Sequence, residues 1–310
     1  MIKTVTLNAA IDKTVEVQDF RVGAVNRITK LQLDAGGKGI NVSKVIHALN
    51  GKSIAVGVLA GRNGEYIRAE IERRGIVHDF LFVDGETRIN LKVVDPLNST
   101  FTDINEAGTL VTDQELVQLE GKIFKELGSD SSLVLSGSIP SSVPVTIYRH
   151  WIEKAKGLGV KTFLDADGEL LREGLKAKPY LAKPNLHELE RLVDHELSRL
   201  EDVAVAARNL LKQGLEVVVV SLGAEGALFA YQDKVIHAEG LSIEVKSTVG
   251  AGDAMMAALT LVPAGEDYLE RAVRWSLATS AAQVATTGSQ PPEFSQVLSY
   301  LDQVRYRVLA

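Results

Sequence analysis

"SLVLSGSIPSSVPVTIYRHWIEKAKGLGVKTFLDAD" (132–167) is the stretch on which the fold turns. "SLVLSG" (132–137) is a short apolar run ending in small residues. "VPVTIYRHWIEKAKGLG" (143–159) has helical spacing and stops at glycine, and "VKTFLDAD" (160–167) is apolar again. Downstream the alternation repeats, with runs at "KPYLAKPN" (178–185) and "LEVVVVSLG" (215–223) around the helical "EDVAVAARNLLKQG" (201–214). Strand-length runs separated by helices predict a mainly parallel sheet covered on both faces, an α/β protein.

Upstream, "TDQELVQLEGKIFKELG" (112–128) opens with Thr112 and Glu115, the spacing of a capping box. "GAGDAMMAALTLV" (250–262) and "YLERAVRWSLATSAAQVAT" (268–286) read as consecutive alanine-rich helices. The first third differs. "TVEVQDF" (14–20), "RITKLQLD" (27–34), "TRINLKVVD" (87–95) and "STFTDIN" (99–105) alternate with period two. They predict a small antiparallel sheet, contributed by about 12–34 and 87–105, with one wet face.

Composition sets the bounds. The chain has 310 residues, 45% hydrophobic and 24% charged, without repeats or low-complexity linkers, so one domain over 1–310 is expected. No run of eighteen apolar residues predicts a membrane span. The start "MIKTVTLN" reads as a strand and cysteine is absent, which together point to the cytoplasm. A net charge of −6 and no long basic run argue against a nucleic-acid or membrane partner. Three familiar motifs fail. "GKS" (51–53) has Ile46 where a P-loop needs glycine, no G-x-G-x-x-G follows a first strand, and Arg191 breaks a zinc motif begun by His187 and Glu188.

Two glycine-rich stretches stand directly before helices. In "STVGAGDAMMAAL" (247–259), Gly250, Ala251 and Gly252 precede Asp253. Helix N-termini leave unpaired N–H groups and carry partial positive charge, and glycine lets those amides approach a phosphate. Asp253 is then either a base beside an anion or an ordinary N-cap. In "DAGGKGINVSKVIHALN" (34–50), glycines surround Lys38, and Asn41 sits in the first turn, facing a ligand or capping the helix. "LAKPNLHELE" (181–190) offers Asn185 and Glu188 as a capping box, or Glu188 as a carboxylate near a metal–nucleotide complex. "SLGAEGALF" (221–229) is a hairpin turn or a backbone cradle for a nucleotide. "LNAAIDKT" (7–14) places Asp12 where it can hold hydroxyls or simply turn the chain.

In this order, "TLNAAID", "GGKGIN", "TRIN", "SGSIP", "KPN-x-x-E", "SLGAEGA" and "GAGD" resemble the PfkB branch of the ribokinase-like sugar kinases, over nearly the whole chain. Within it they resemble the 1-phosphofructokinase group most and the tagatose-6-phosphate kinases next. Ala9, where the family often has proline, and "DAMMAA" depart from the pattern without removing an active group. The resemblance implies a three-layer α/β/α fold with a β-sheet lid. It implies transfer of phosphate from ATP, with Mg²⁺, to a ketose phosphate, foremost fructose 1-phosphate. A non-catalytic sensor or a nucleoside kinase on the same fold is the rival class. Asp253 matches the general base, with Gly250, Ala251 and Gly252 as anion hole. Asp12, Gly37, Lys38, Asn41, Arg88 and Asn90 match sugar-phosphate ligands. Lys183, Ser221, Leu222, Gly223, Ala224, Glu225, Gly226 and again Gly252 match the ATP site, and Glu188 the magnesium-supporting position. A homodimer through the lid is also implied.

Overall fold

The chain opens with β1 (Ile2–Thr6), β2 (Ala10–Glu16) and β3 (Lys30–Gly36), then enters α1 (Lys38–Ala48). β4 (Ile54–Ala60), α2 (Gly61–Arg73) and β5 (Val77–Val83) follow, then β6 (Arg88–Asp95) and β7 (Thr100–Asn105). Next come α3 (Asp113–Phe124), β8 (Ser132–Ser136), α4 (Ile147–Gly157), β9 (Lys161–Asp165), α5 (Gly168–Lys176) and β10 (Leu181–Ala182). α6 (Leu186–Val193), α7 (Leu200–Lys212) and β11 (Val217–Ser221) lead into the hairpin β12 (Ala227–Tyr231) and β13 (Lys234–Ala238). α8 (Ala251–Leu261), α9 (Tyr268–Val284), α10 (Phe294–Leu301) and β14 (Tyr306–Val308) complete the order. The computed structural model describes residues 1–263, 265 and 267–309; positions 264, 266 and 310 of the expected single domain lie outside the described residues.

Ten strands form the main sheet in the order β14-β13-β12-β11-β10-β9-β8-β1-β4-β5. From β5 to β11 every pairing is parallel; β12, β13 and β14 are added antiparallel. The run Val217–Val220 shows why the sheet is central. Val218 and Val220 pack with α3 to α7 on one face, while Val217 and Val219 pack with α1, α8 and α9 on the other. A strand buried on both faces reads as an unbroken apolar run, as this one does. On α4, Trp151 is fully buried and its indole N–H donates to Glu120 Oε2 at 3.0 Å, so its large apolar area is buried without an orphaned donor.

Both predicted capping boxes are present. Thr112 and Glu115 cap α3 reciprocally, and Asn185 and Glu188 do the same for α6. The lid forms from the two expected segments as a separate four-stranded sheet, β3-β2-β6-β7. Its outer pairs are antiparallel, and they meet through one parallel pair, β2 with β6. Two of its strands lie a few residues from the expected runs: β2 starts at Ala10 and β3 ends at Gly36. In consequence Asp12 sits within a strand, opposite Asp34 and Asn90. Side chains alternate across a strand, so these three share the face turned toward the main body.

Candidate active site

Parallel strands deliver their C-terminal ends to one edge, and ligands of open α/β sheets bind there. Here Thr6, Ser136, Asp165, Lys183 and Ser221, at or just past the ends of β1, β8, β9, β10 and β11, form the floor of a cleft of about 780 Å³. Asp12, Arg88 and Asn90 face it from the lid. The first turns of α1 and α8 complete the wall.

Gly250 is the N-cap of α8, with φ 78°, a left-handed conformation that glycine adopts without strain. Asp253 makes no capping bond. Its Oδ2 instead accepts a 2.9 Å hydrogen bond from Asn41 Nδ2, and the side chain is buried. Burial raises its pKa; Lys38 opposes and Asp165 adds to the rise, leaving it at about 6. A carboxylate with that pKa is ionised at neutral pH yet basic enough to take a proton. The capping alternative for Asp253 is thereby removed, and so is the capping alternative for Asn41.

Asp165 is the electrostatic centre of the floor. Its Oδ1 accepts from Lys38 Nζ at 2.8 Å, and its Oδ2 pairs with Lys183 Nζ at 3.0 Å. Burial alone would raise its pKa, but Lys183 and then Lys38 bring it down to about 2. Asp165 reciprocally holds the Lys38 pKa above its ordinary value. One buried carboxylate thus holds the side chains of Lys38 and Lys183 together on the floor where an anion would enter.

On the lid, Arg88 donates to the carbonyls of Glu106 (3.0 Å) and Asn8 (3.2 Å). Asn90 Nδ2 donates to Asp12 Oδ1 at 3.1 Å. Burial raises the pKa of Asp12. Thr6 Oγ1, Asn41 Oδ1, Asn90 Oδ1 and Ser136 Oγ are buried cleft atoms without a protein partner. Buried polar atoms of this kind call for hydrogen bonds from a ligand or water.

Glu188 lines the cleft as well, with its pKa raised by burial. Its Oε2 is engaged by the Asn185 N–H at 2.8 Å, so the residue closes the capping box of α6 while lining the cleft. Among the described residues, no three His, Cys, Asp or Glu side chains are grouped to hold a metal ion. One carboxylate suits Mg²⁺, which keeps its waters and binds through phosphates plus one or two carboxylates. It does not suit an all-protein cage.

The sequence model of the pfkB family carbohydrate kinases matches residues 5–295. The chain belongs to the PfkB family of carbohydrate kinases. The 1-phosphofructokinase of Haemophilus influenzae is 36% identical over 307 residues, covering 98% of this kinase and 96% of the relative. The phosphofructokinase-2 of Escherichia coli, solved with substrates and products, superposes with a TM-score of 0.92 at 30% identity, covering 97% of this kinase and 98% of that chain. That enzyme is also known in a tetrameric inhibited form. The ribokinase of Arabidopsis thaliana, at 22% identity and a TM-score of 0.77, shares the fold, covering 97% of this kinase and 98% of that chain. The expected family and its ribokinase-like fold are thus borne out. The kinase is a phosphotransferase, and its relatives place it among the sugar-phosphate kinases.

The cleft gathers Asp12, Gly37, Lys38, Asn41, Arg88, Asn90, Lys183, Glu188, Ser221, Gly250, Gly252 and Asp253 from the sequence expectation. Ala251 is not among the residues that line it. Nor are Leu222, Gly223, Ala224, Glu225 and Gly226, which form the turn between β11 and β12. Sequence reasoning missed Asp165. Its signal is the acidic end of "FLDAD": a charge closing an apolar strand at the edge where ligands bind.

Proposed function

We propose that this kinase transfers the γ-phosphoryl group of ATP to O6 of fructose 1-phosphate, giving fructose 1,6-bisphosphate. The observation that carries the proposal is the meeting of Asp253, held by Asn41, with Lys38 and Arg88 in a single cleft under the lid. The named activity of the full-length relatives supports the same acceptor.

In this reading Asp253 takes the proton from O6 as the hydroxyl attacks in line. A positioned base contributes typically ~10²–10⁴-fold. The amides of Gly250, Ala251 and Gly252 bind the transferring phosphoryl, the larger electrostatic contribution. Lys183 and Ser221, with the turn Leu222–Gly226, hold the nucleotide. Arg88, through the N–H groups its carbonyl partners leave free, and Lys38 bind the sugar's own phosphate; guanidinium can contact phosphate through two N–H groups. Asp12, Asn90 and Gly37 orient hydroxyls. Glu188 would support Mg²⁺, and the ion would supply charge neutralisation there. Lid closure excludes water, which competes with the sugar as acceptor.

The lid also supports a homodimer. Leu31, Leu33 and Ile104 are exposed on its outer face, turned away from the cleft. A Leu33→Lys variant is expected to elute as a monomer in light scattering; an unchanged mass overturns this assignment.

The deciding experiment is ADP release with Mg-ATP and fructose 1-phosphate, tagatose 6-phosphate or fructose 6-phosphate in parallel. A kcat/KM at least about tenfold higher for fructose 1-phosphate, a transition-state preference of ~1.4 kcal/mol, is expected. Preference for either other acceptor replaces the substrate assignment. Silence with all three overturns the sugar-phosphate site.

A further inference from the structure

Lys44 follows Asn41 by three residues on α1, but unlike Lys38 and Asn41 it does not line the cleft. Its side chain is buried. The ammonium donates to the carbonyl of Ala35 at 2.7 Å, to the carbonyl of Ser289 at 2.8 Å and to Ser289 Oγ at 3.4 Å. Three donors meet three acceptors. Burying an ammonium is costly where an apolar side chain could pack, so the charge asks for a reason.

Its partners supply one. Ala35 is at the root of lid strand β3, and Ser289 lies in the segment after α9. Next to Ala35, Asp34 accepts from the Ser289 N–H at 3.4 Å, from Gln32 Nε2 at 2.8 Å and from Gln290 Nε2. The Gln290 carbonyl accepts from Gln283 Nε2 at 2.9 Å, and that same amide reaches the Val249 carbonyl at 3.4 Å. Val249 directly precedes Gly250. Gly288 makes the approach feasible: its φ is +63°, and a Cβ there would stand 2.4 Å from Gln32 Nε2 and 2.6 Å from Asp34 Oδ2.

We propose that Lys44 is a positioning residue, which fixes the root of the lid against the loop ending at Gly250 and so sets the distance between sugar and phosphoryl sites. The proposal rests on the kinase reading of the cleft. The lid side is transmitted by register: Asp34 pairs with Asp12, and Asp12 with Asn90. In-line transfer is sensitive to this distance, since about 1 Å of misplacement can cost ~10²-fold.

The environment of Lys44 gives the strut a pH limit. Burial lowers its pKa to about 8, with Asp34, Asp12 and Asp253 opposing the fall and Arg74 adding to it. Above that pH the amine keeps two N–H donors for three acceptors. Arginine retains its charge throughout.

The test uses Lys44→Met, Lys44→Arg and Gly288→Ala in the full chain, with kinetics and hydrogen–deuterium exchange. Lys44→Met is expected to raise the sugar-phosphate KM about tenfold or more and to lower kcat, with the ATP KM changed less than about threefold. Without any substrate, exchange should rise together at 30–36 and 245–250 while α3 and α4 stay protected. Gly288→Ala should reproduce both effects and remains informative if Lys44→Met fails to fold. The wild-type sugar-phosphate KM should rise above pH 8, and Lys44→Arg should flatten that rise. Equal effects on both KM values, or unchanged exchange at 245–250 in the folded variants, overturns the proposal. Because the exchange measurement needs no acceptor, an incorrect substrate assignment leaves it decisive.

Discussion

Asn41 donates its side-chain amide to Asp253 at 2.9 Å, across 212 residues of sequence. This contact locks the first turn of α1 to the first turn of α8. It also favours the ionised carboxylate, against the desolvation that raises the pKa to about 6. The wild-type kcat should therefore fall as pH drops below about 6. Asn41→Ala removes a hydrogen bond to the charged form, so the acid limb should move to higher pH. A kcat–pH profile unchanged in this variant separates Asn41 from the base.

Asp253→Asn should cut kcat by at least ~10²-fold without unfolding the protein. The sign of the stability effect distinguishes loss of a base from loss of structure. The folded-state pKa is raised above the ordinary aspartate value, so the ionised form costs stability above about pH 6. Removing the charge should leave the melting temperature at pH 8 equal or higher. A large fall in Tm would instead assign Asp253 a structural role.

Arg88→Ala should raise the KM for the sugar phosphate far more than the KM for ATP. Truncating one partner of a charge-assisted contact costs on the order of 2–5 kcal/mol when it is buried. Initial-rate kinetics with each substrate varied in turn decide this. Equal rises in both KM values place Arg88 in the lid's framework instead, through its bonds to Glu106 and Asn8.

Asp165→Asn leaves Lys183 buried with its carboxylate partner gone and frees Lys38. Breaking a buried ion pair from one side costs about 3–5 kcal/mol, so a clear fall in Tm is expected together with weaker binding of both substrates. The acid side is informative too. Asp165 has a folded pKa of about 2, below its ordinary value, so its stabilisation is complete at neutral pH and fades as pH falls toward 2. The wild type should lose stability over that range by more than Asp165→Asn does in acid-titration melts.

What the sequence disclosed was chiefly local. The capping boxes at Thr112 and Asn185 are encoded within four residues and could be read directly. The valine run of β11 announced burial on both faces. The glycine motifs around Lys38 and before Asp253 pointed to residues that line the cleft, whereas the turn Leu222–Gly226 does not line it. Asp165 escaped because its meaning lies in Lys38, 127 residues away, and in Lys183 on another strand end. Lys44 escaped for the same reason: its acceptors are backbone carbonyls, which no residue type advertises. The lid strands were displaced because period-two alternation does not mark where pairing begins; the small residues Ala10, Ala35 and Gly36 are paired although they carry no such pattern.

The parallel pairing of β2 with β6 also orders events in time. Ala10 meets Arg88 and Asp12 meets Asn90, with β4, α2 and β5 lying between them in the chain. Closing so long an intervening loop precedes any reward from the pair. The two halves of the lid sheet can pair only when the chain between them brings Arg88 back beside Ala10. The cleft draws residues from as early as Thr6 and as late as Asp253, so its wall is complete only when nearly the whole chain is in place.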